Sequence, residues 1–285
     1  MVALVFDGAN IDVFDLATTS IEILFWTAIY ACSEFYIQTQ QTTFARQIVI
    51  MQGRIYLIPN LLGESPIERN FPPENIAIIN SIKHFIVEDV RTVRRFLKHV
   101  NKDINIDELT FFVLDKHTRP EDVPSFLKPV EQGCDMGIIS EAGCPGVADP
   151  GADVVAIAHQ RGLKVVPLIG PSSILLSLMS SGMNGQNFAF LGYLPVDKGD
   201  TVKAIKHIEE RSLREKQTQI FIETPFRNVK MLSDLLFALR PSTRLCIACN
   251  ITCDDEFIQT KTISQWRATK LPDIAKRPAI FLLQA

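Results

Sequence analysis

Two loops of small residues carry the stretch of this chain best suited to chemistry. The first runs Ser140-Glu141-Ala142-Gly143-Cys144-Pro145 and continues through Gly146, Asp149, Pro150 and Gly151; the second is Gly170-Pro171-Ser172-Ser173. Each follows a short apolar run and precedes a helical one. Small side chains leave backbone N–H groups uncovered at the edge of a sheet, which is where α/β proteins bind ligands. One glycine loop is a weak signal, and two in this order are a much stronger one.

Other candidate chemistry is weaker. Cys246, Cys249 and Cys253 have the spacing C-x2-C-x3-C, which invites a metal reading. Strand alternation across Arg244–Cys249 puts the first two on opposite faces, poor geometry for a shared ion, so packing is the reading and no metal is expected. Arg91, Arg94, Arg95 and Lys98 stripe one helix, either as phosphate contacts or as a solvated face.

The elements that must position these loops alternate apolar strands with amphipathic helices, the pattern of a largely parallel α/β sheet. Strands are expected at 54–58, 84–87, 110–114, 136–140, 164–166, 188–191, 219–223, 244–249 and 279–283. Helices at 90–100 and 228–239 bury residues at 3-4 spacing, Val93, Phe96 and Leu97 in one and Leu232, Leu235 and Leu236 in the other. A hinge at Pro167–Gly170 divides the chain into an N-terminal extension (1–51) and two α/β domains, 52–167 and 168–285, with a cleft between the domains.

With 285 residues, 47% hydrophobic and 21% charged, the chain has an ordinary globular composition. A formal net charge of −3 gives no global attraction for nucleic acid. The six cysteines have no disulfide-scaffold spacing and fit a reducing compartment. No targeting signal is evident, so the cytoplasm is the expected location.

In the extension, Ile21 to Cys32 is too short for a bilayer, which needs about 20 residues. The acidic Asp7, Asp12 and Asp15 do not suit a secretory leader. Met51 stands where a start would be expected. An over-extended gene start is the favoured reading; an appended helix or strand pairing and a disordered arm are the alternatives.

Residues 136–195 carry the segments Ser140–Pro145, Ala148–Gly151 (ADPG), Val166–Ser173 (VPLIGPSS) and Gly192–Pro195 (GYLP). With Arg54–Glu64, Val87–Arg91, Ile220–Arg227, Cys249–Thr252 and Lys276–Leu283, they resemble the tetrapyrrole (corrin/porphyrin) methylase superfamily. Within it, the chain is most similar to the branch that methylates a ribose 2′-hydroxyl of small-subunit ribosomal RNA. The resemblance spans about residues 52 to 285 and implies a two-domain α/β tetrapyrrole-methylase fold. It also implies S-adenosyl-L-methionine as methyl donor in the interdomain cleft, a homodimer, and ribosomal RNA or the small ribosomal subunit as partner, with no membrane association. The glycine fingerprint of the common Rossmann-type methyltransferases is absent after the first strand, which ends in Pro59-Asn60-Leu61-Leu62-Gly63.

Carried over by position, the resemblance assigns cofactor contact to Pro59, Ser140, Ala142, Gly143, Cys144, Val147, Ser172, Ser173, Glu223 and Ile251. A ribose hydroxyl has a high pKa, so its methylation benefits from a base or a cation beside it. Glu88, Asp89, Arg91 and Lys276 are the catalytic candidates, although Asp89 also suits a helix N-cap. Asp115 and His117 are weaker candidates. Several polar positions depart from the branch: Cys144 replaces a threonine, Asn250 a glutamate, and Arg277-Pro278 a Gly-Glu pair. These departures keep two other readings open, a same-fold methyltransferase acting on a tetrapyrrole, protein or small molecule, and a cofactor-binding protein without catalysis.

Overall fold

The computed structural model describes residues 3–7, 10–14 and 52–285. Residues 1–51 and 52–285 separate into two units. In the first, β1 (Ala3–Asp7) and β2 (Asn10–Phe14) pair antiparallel. The segment Ile21–Cys32 lies outside the described residues.

The second unit contains two five-stranded sheets. The first has β3 (Arg54–Ile58), β4 (His84–Val87), β5 (Thr110–Val113), β6 (Met136–Ile139) and β7 (Lys164–Pro167) in the order β5-β4-β6-β3-β7. Every pair in it is parallel. Parallel pairs need crossovers, and helices α1 (Pro73–Ser81), α2 (Val90–Val100) and α3 (Ala152–Gln160) supply three of them. Both faces of the sheet are therefore covered. Tyr56, Ile58, Phe85 and Val87 pack with Ile79, Val93, Phe96 and Leu97 on one side. Ile55, Ile86, Met136 and Ile138 pack with Leu127, Val154 and Ala158 on the other.

Helix α4 (Ser173–Ser181) leads into the second sheet, built from β8 (Phe188–Tyr193), β9 (Thr218–Glu223), β10 (Arg244–Cys249), β11 (Phe257–Thr262) and β12 (Ala279–Gln284). Its order is β11-β10-β12-β9-β8. Helices α5 (Lys198–Glu215), α6 (Asn228–Ala238) and α7 (Ile263–Arg267) complete the chain.

This second sheet corrects the expectation of largely parallel strands. Only β8 and β9 run parallel, across the long crossover α5, while β10–β11, β10–β12 and β12–β9 are antiparallel. Strand β11 was not among the expected strands. Its Phe-Ile-Gln-Thr-Lys-Thr sequence lies half-buried at the sheet edge and lacks an apolar run. Cys246 and Cys249 are fully buried on opposite faces of β10, each packed in a different apolar cluster. No helix among the described residues is long and apolar enough to cross a membrane.

Candidate active site

The ends of β3 and β6 are tied together at the first loop. Asn60 N donates to Gly143 O at 2.8 Å, and Gly143 N returns a bond to Asn60 O at 3.1 Å. The buried Asn60 side chain donates to the carbonyls of Ser140 and Glu141, both at 3.0 Å. Ser140 Oγ donates to Gly143 O at 2.7 Å. Gly143 has φ +71°, a conformation that costs glycine little, and a Cβ there would stand 3.3 Å from Leu62 Cδ2. The second loop crosses directly against the end of β3, where a Cβ on Gly170 would fall 2.5 Å from Pro59 Cβ. Cys144 Sγ donates to Pro171 O at 3.6 Å, joining the two loops, and burial raises its thiol pKa.

Beyond these loops lies a cleft of about 400 Å³, in the range of small-molecule sites. Ala142, Val147, Ser173, Glu223, Ile251 and Glu88 line it, six of the residues selected from sequence. Pro59, Ser140, Gly143, Cys144 and Ser172 do not line it; they shape its floor and joints. Ser172 caps α4, its side chain accepting from Leu175 N at 3.5 Å.

Glu223, at the end of β9, is buried with 5% exposure. Its Oε1 accepts from Thr224 N at 2.7 Å. Its Oε2 stands 3.0 Å from Arg227 Nη2 but lacks hydrogen-bond geometry to any partner.

The catalytic candidates divide. Glu88 faces the cleft, and burial, Glu141 and Asp115 together raise its pKa. Asp89 points to the helix instead. It accepts from Arg91 N at 3.1 Å, Thr92 N at 3.0 Å and Thr92 Oγ1 at 2.6 Å, so it is the N-cap of α2. Those bonds depress its pKa and leave a weak base. Arg91 is exposed on α2, outside the cleft lining. Lys276 sits in an exposed turn at φ 56°, its N–H donating to Pro225 O at 3.1 Å. His117 is exposed, and its N–H donates to Asp115 Oδ1 at 2.8 Å.

Sequence reasoning passed over Glu141, Asp149, Phe190, Tyr193 and Ile280, which also line the cleft. Asp149 and Tyr193 lay inside segments already singled out, ADPG and GYLP, and that was the available signal. Asp149 follows Ala148, a non-glycine residue at φ 56°. Such strain concentrates at functional sites. Burial, then Glu88, push the Asp149 carboxyl up to about 6, against a backbone hydrogen bond from Glu141 that lowers it and exceeds the repulsion from the Glu141 charge.

No family model matches the chain. Among solved structures, the methyltransferase CobJ superposes with a TM-score of 0.54 at 15% identity, over 82% of this chain and 93% of that one, which is a likeness of fold. Ribosomal RNA small subunit methyltransferase I of Escherichia coli O157:H7 is 25% identical over 232 residues, 81% of this chain and 77% of the relative. The protein of the same name from Haemophilus influenzae is 32% identical over 223 residues, 78% of this chain and 75% of the relative.

The chain belongs to the ribosomal RNA small subunit methyltransferase I family. It is therefore a methyltransferase with the tetrapyrrole-methylase fold. In this member of the methyltransferase I family, the departures at residues 250 and 277 have structural work. Asn250 Nδ2 donates to both Asp255 carboxylate oxygens at 2.9 Å, and Arg277 Nη2 donates to Asp255 Oδ2 at 2.7 Å.

Proposed function

We propose that this protein uses S-adenosylmethionine to methylate a ribose 2′-hydroxyl of small-subunit ribosomal RNA. The observation that carries the reading is the 32% identity to a ribosomal RNA small subunit methyltransferase I over three-quarters of both chains. The cleft suits the donor chemically. Ile222, Ile251, Ile280 and Phe190 offer an apolar wall for an adenine, while Ser173 and the backbone of 141–149 offer polar groups opposite. Bound there, S-adenosylmethionine supplies an electrophilic methyl group, which leaves the protein to align donor and acceptor and to keep water out.

Ala142, Val147, Ser173, Glu223 and Ile251 are the proposed donor contacts, with Pro59, Ser140, Gly143, Cys144 and Ser172 setting the loops that bring them together. Glu88 is the proposed proton acceptor for the incoming hydroxyl, since it lines the cleft and its raised pKa makes it the stronger base. Helix α2 starts two residues after Glu88 and presents Arg91, Arg94, Arg95 and Lys98 to solvent. Phosphates flanking the target ribose would meet that stripe.

The proposed setting is the cytoplasm, and the proposed assembly is a homodimer of the 32.0 kDa chain. Exposed Ile169, Leu175 and Met179, on and just before α4, are the apolar surface that supports it. Light scattering at micromolar concentration separates dimer from monomer. The methylation reading is tested by mass-spectrometric mapping of ribosomal RNA from a strain lacking the gene. Loss of one ribose methylation in the small-subunit RNA is expected; an unchanged map overturns the acceptor.

A further inference from the structure

The cleft is one-sided in charge. Glu88 after β4, Glu141 and Asp149 after β6, and Glu223 at the end of β9 line it, and its described lining residues include no lysine, arginine or histidine. The charged groups behind them do not neutralise the Glu88–Glu141–Asp149 side. Asp115, tied to the backbone of His117, adds negative charge next to Glu88. Arg95 acts on Asp89, outside the cleft lining. Arg227 is held by Glu223 on the opposite wall. Glu223 Oε2, desolvated and without a hydrogen bond, has its charge met by Arg227 at 3.0 Å, so the unpaired negative charge of the cleft sits on the Glu88–Glu141–Asp149 side.

The chain holds this arrangement against strain. Ala148 adopts a left-handed φ of 56° and Gly146 one of 77°, and the turn they make carries Asp149 into the cleft wall. Packing carboxylates together costs energy unless a proton or a cation joins them. A proton joins them here at mild acidity, with Asp149 titrating at about 6.

The donor has a sulfonium centre. After transfer, the same sulfur is a neutral thioether, because the C–S bond has broken with its electron pair left on sulfur. The methyl is then bonded to the acceptor oxygen, whose proton has departed to a base. Adenine, ribose, amine and carboxylate are common to both forms, so charge at sulfur is what tells them apart.

We propose that Asp149, backed by Glu88 and Glu141, reads that charge, so that the cleft holds the sulfonium donor more tightly than its neutral thioether product. Transfer itself then removes the cation that the carboxylates favour, and the spent product is released. This rests on the donor reading given above.

The test is calorimetric binding of S-adenosylmethionine and S-adenosylhomocysteine from about pH 5 to about pH 7.5, taking the ratio of the two affinities at each pH. Groups common to both ligands cancel in that ratio. The ratio should shift toward S-adenosylmethionine by about fivefold as pH rises, the effect of one nearby charge gaining its partner in a partly solvated site. In Asp149→Asn the ratio should become flat, with S-adenosylhomocysteine affinity little changed. In Glu88→Gln the pH at which the ratio changes should fall, since a repelling neighbour is gone. That second variant carries the test if Asp149→Asn does not fold. A ratio independent of pH in the native protein overturns the inference, as does a full pH response in Asp149→Asn or an unmoved midpoint in Glu88→Gln. If neither ligand binds at any pH, the donor reading itself falls, a result distinct from binding of both with a constant ratio.

Discussion

Asn60 and Gly143 hold each other through two backbone hydrogen bonds, 2.8 Å and 3.1 Å long, across the ends of β3 and β6. The bridge turns two loops distant in sequence into one rigid floor. Gly143 suits it because its φ of +71° disfavours side chains, and Leu62, its nearest side-chain neighbour, also lines the cleft. Replacing Gly143 with valine should strain the bridge by about 1–3 kcal/mol and drive Leu62 toward the donor's space. Donor affinity by calorimetry should drop at least tenfold, about 1.4 kcal/mol. Native affinity in Gly143→Val would remove this loop from the binding site.

Asp89 was a catalytic candidate, and its geometry is that of a cap. Asp89→Ala should lower the denaturation midpoint at neutral pH while donor affinity stays native. The pH dependence has a definite sign. The folded carboxyl is depressed by its bonds to Thr92 and Arg91, so its stabilisation is present above the unfolded value of about 3.9 and fades as pH falls through the lower folded one. Urea melts of both proteins should therefore converge in acid. A gap that widens toward low pH contradicts the capping role.

Asp149 should behave oppositely. Its folded value of about 6 lies above the ordinary carboxyl range, so the folded state binds the proton more tightly than the unfolded chain does. Stability contributed by that proton is present at low pH and is lost as pH rises from about 4 to about 6. Asp149→Asn should then be more stable than the native protein at pH 7, by about 1 kcal/mol once solvent screening of this half-exposed group is allowed for. Denaturant melts at both pH extremes check the sign. A variant less stable at neutral pH would mean that its carboxylate is favourably paired.

The basic face of α2 makes a prediction about RNA. Arg94 also lies 5.6 Å over the Phe111 ring, so charge reversal is best made at Arg95 first and at both arginines second. Arg95→Glu should weaken binding to small-subunit RNA and reduce its salt dependence, since fewer counterions are released. Donor affinity should hold. Filter binding at two salt concentrations decides it, and indifference to both reversal and salt would leave α2 a solvated face.

The local chemistry of the chain was legible from sequence because it depends on neighbours along the chain. Apolar periodicity located Val93, Phe96 and Leu97 on the buried side of α2, and alternation put Cys246 and Cys249 on opposite faces of β10. The small residues of 140–146 and 170–173 marked where a backbone would be uncovered. Tertiary structure decided what faces what. Strand direction in the second sheet could not be read from β10, β11 and β12 one by one, because direction follows from how the connections return, and β11 at the edge carries no apolar run to reveal it. Likewise Glu88 and Asp89 are adjacent in sequence, yet one faces the cleft and the other caps a helix, since successive side chains leave the backbone on different sides. Glu88, the Glu141–Asp149 loop and Glu223 come from three separate segments. The repulsion between Glu88 and Asp149, and the raised pKa it helps to produce at Asp149, exist only once the fold has brought the two to one cleft and taken part of their water away.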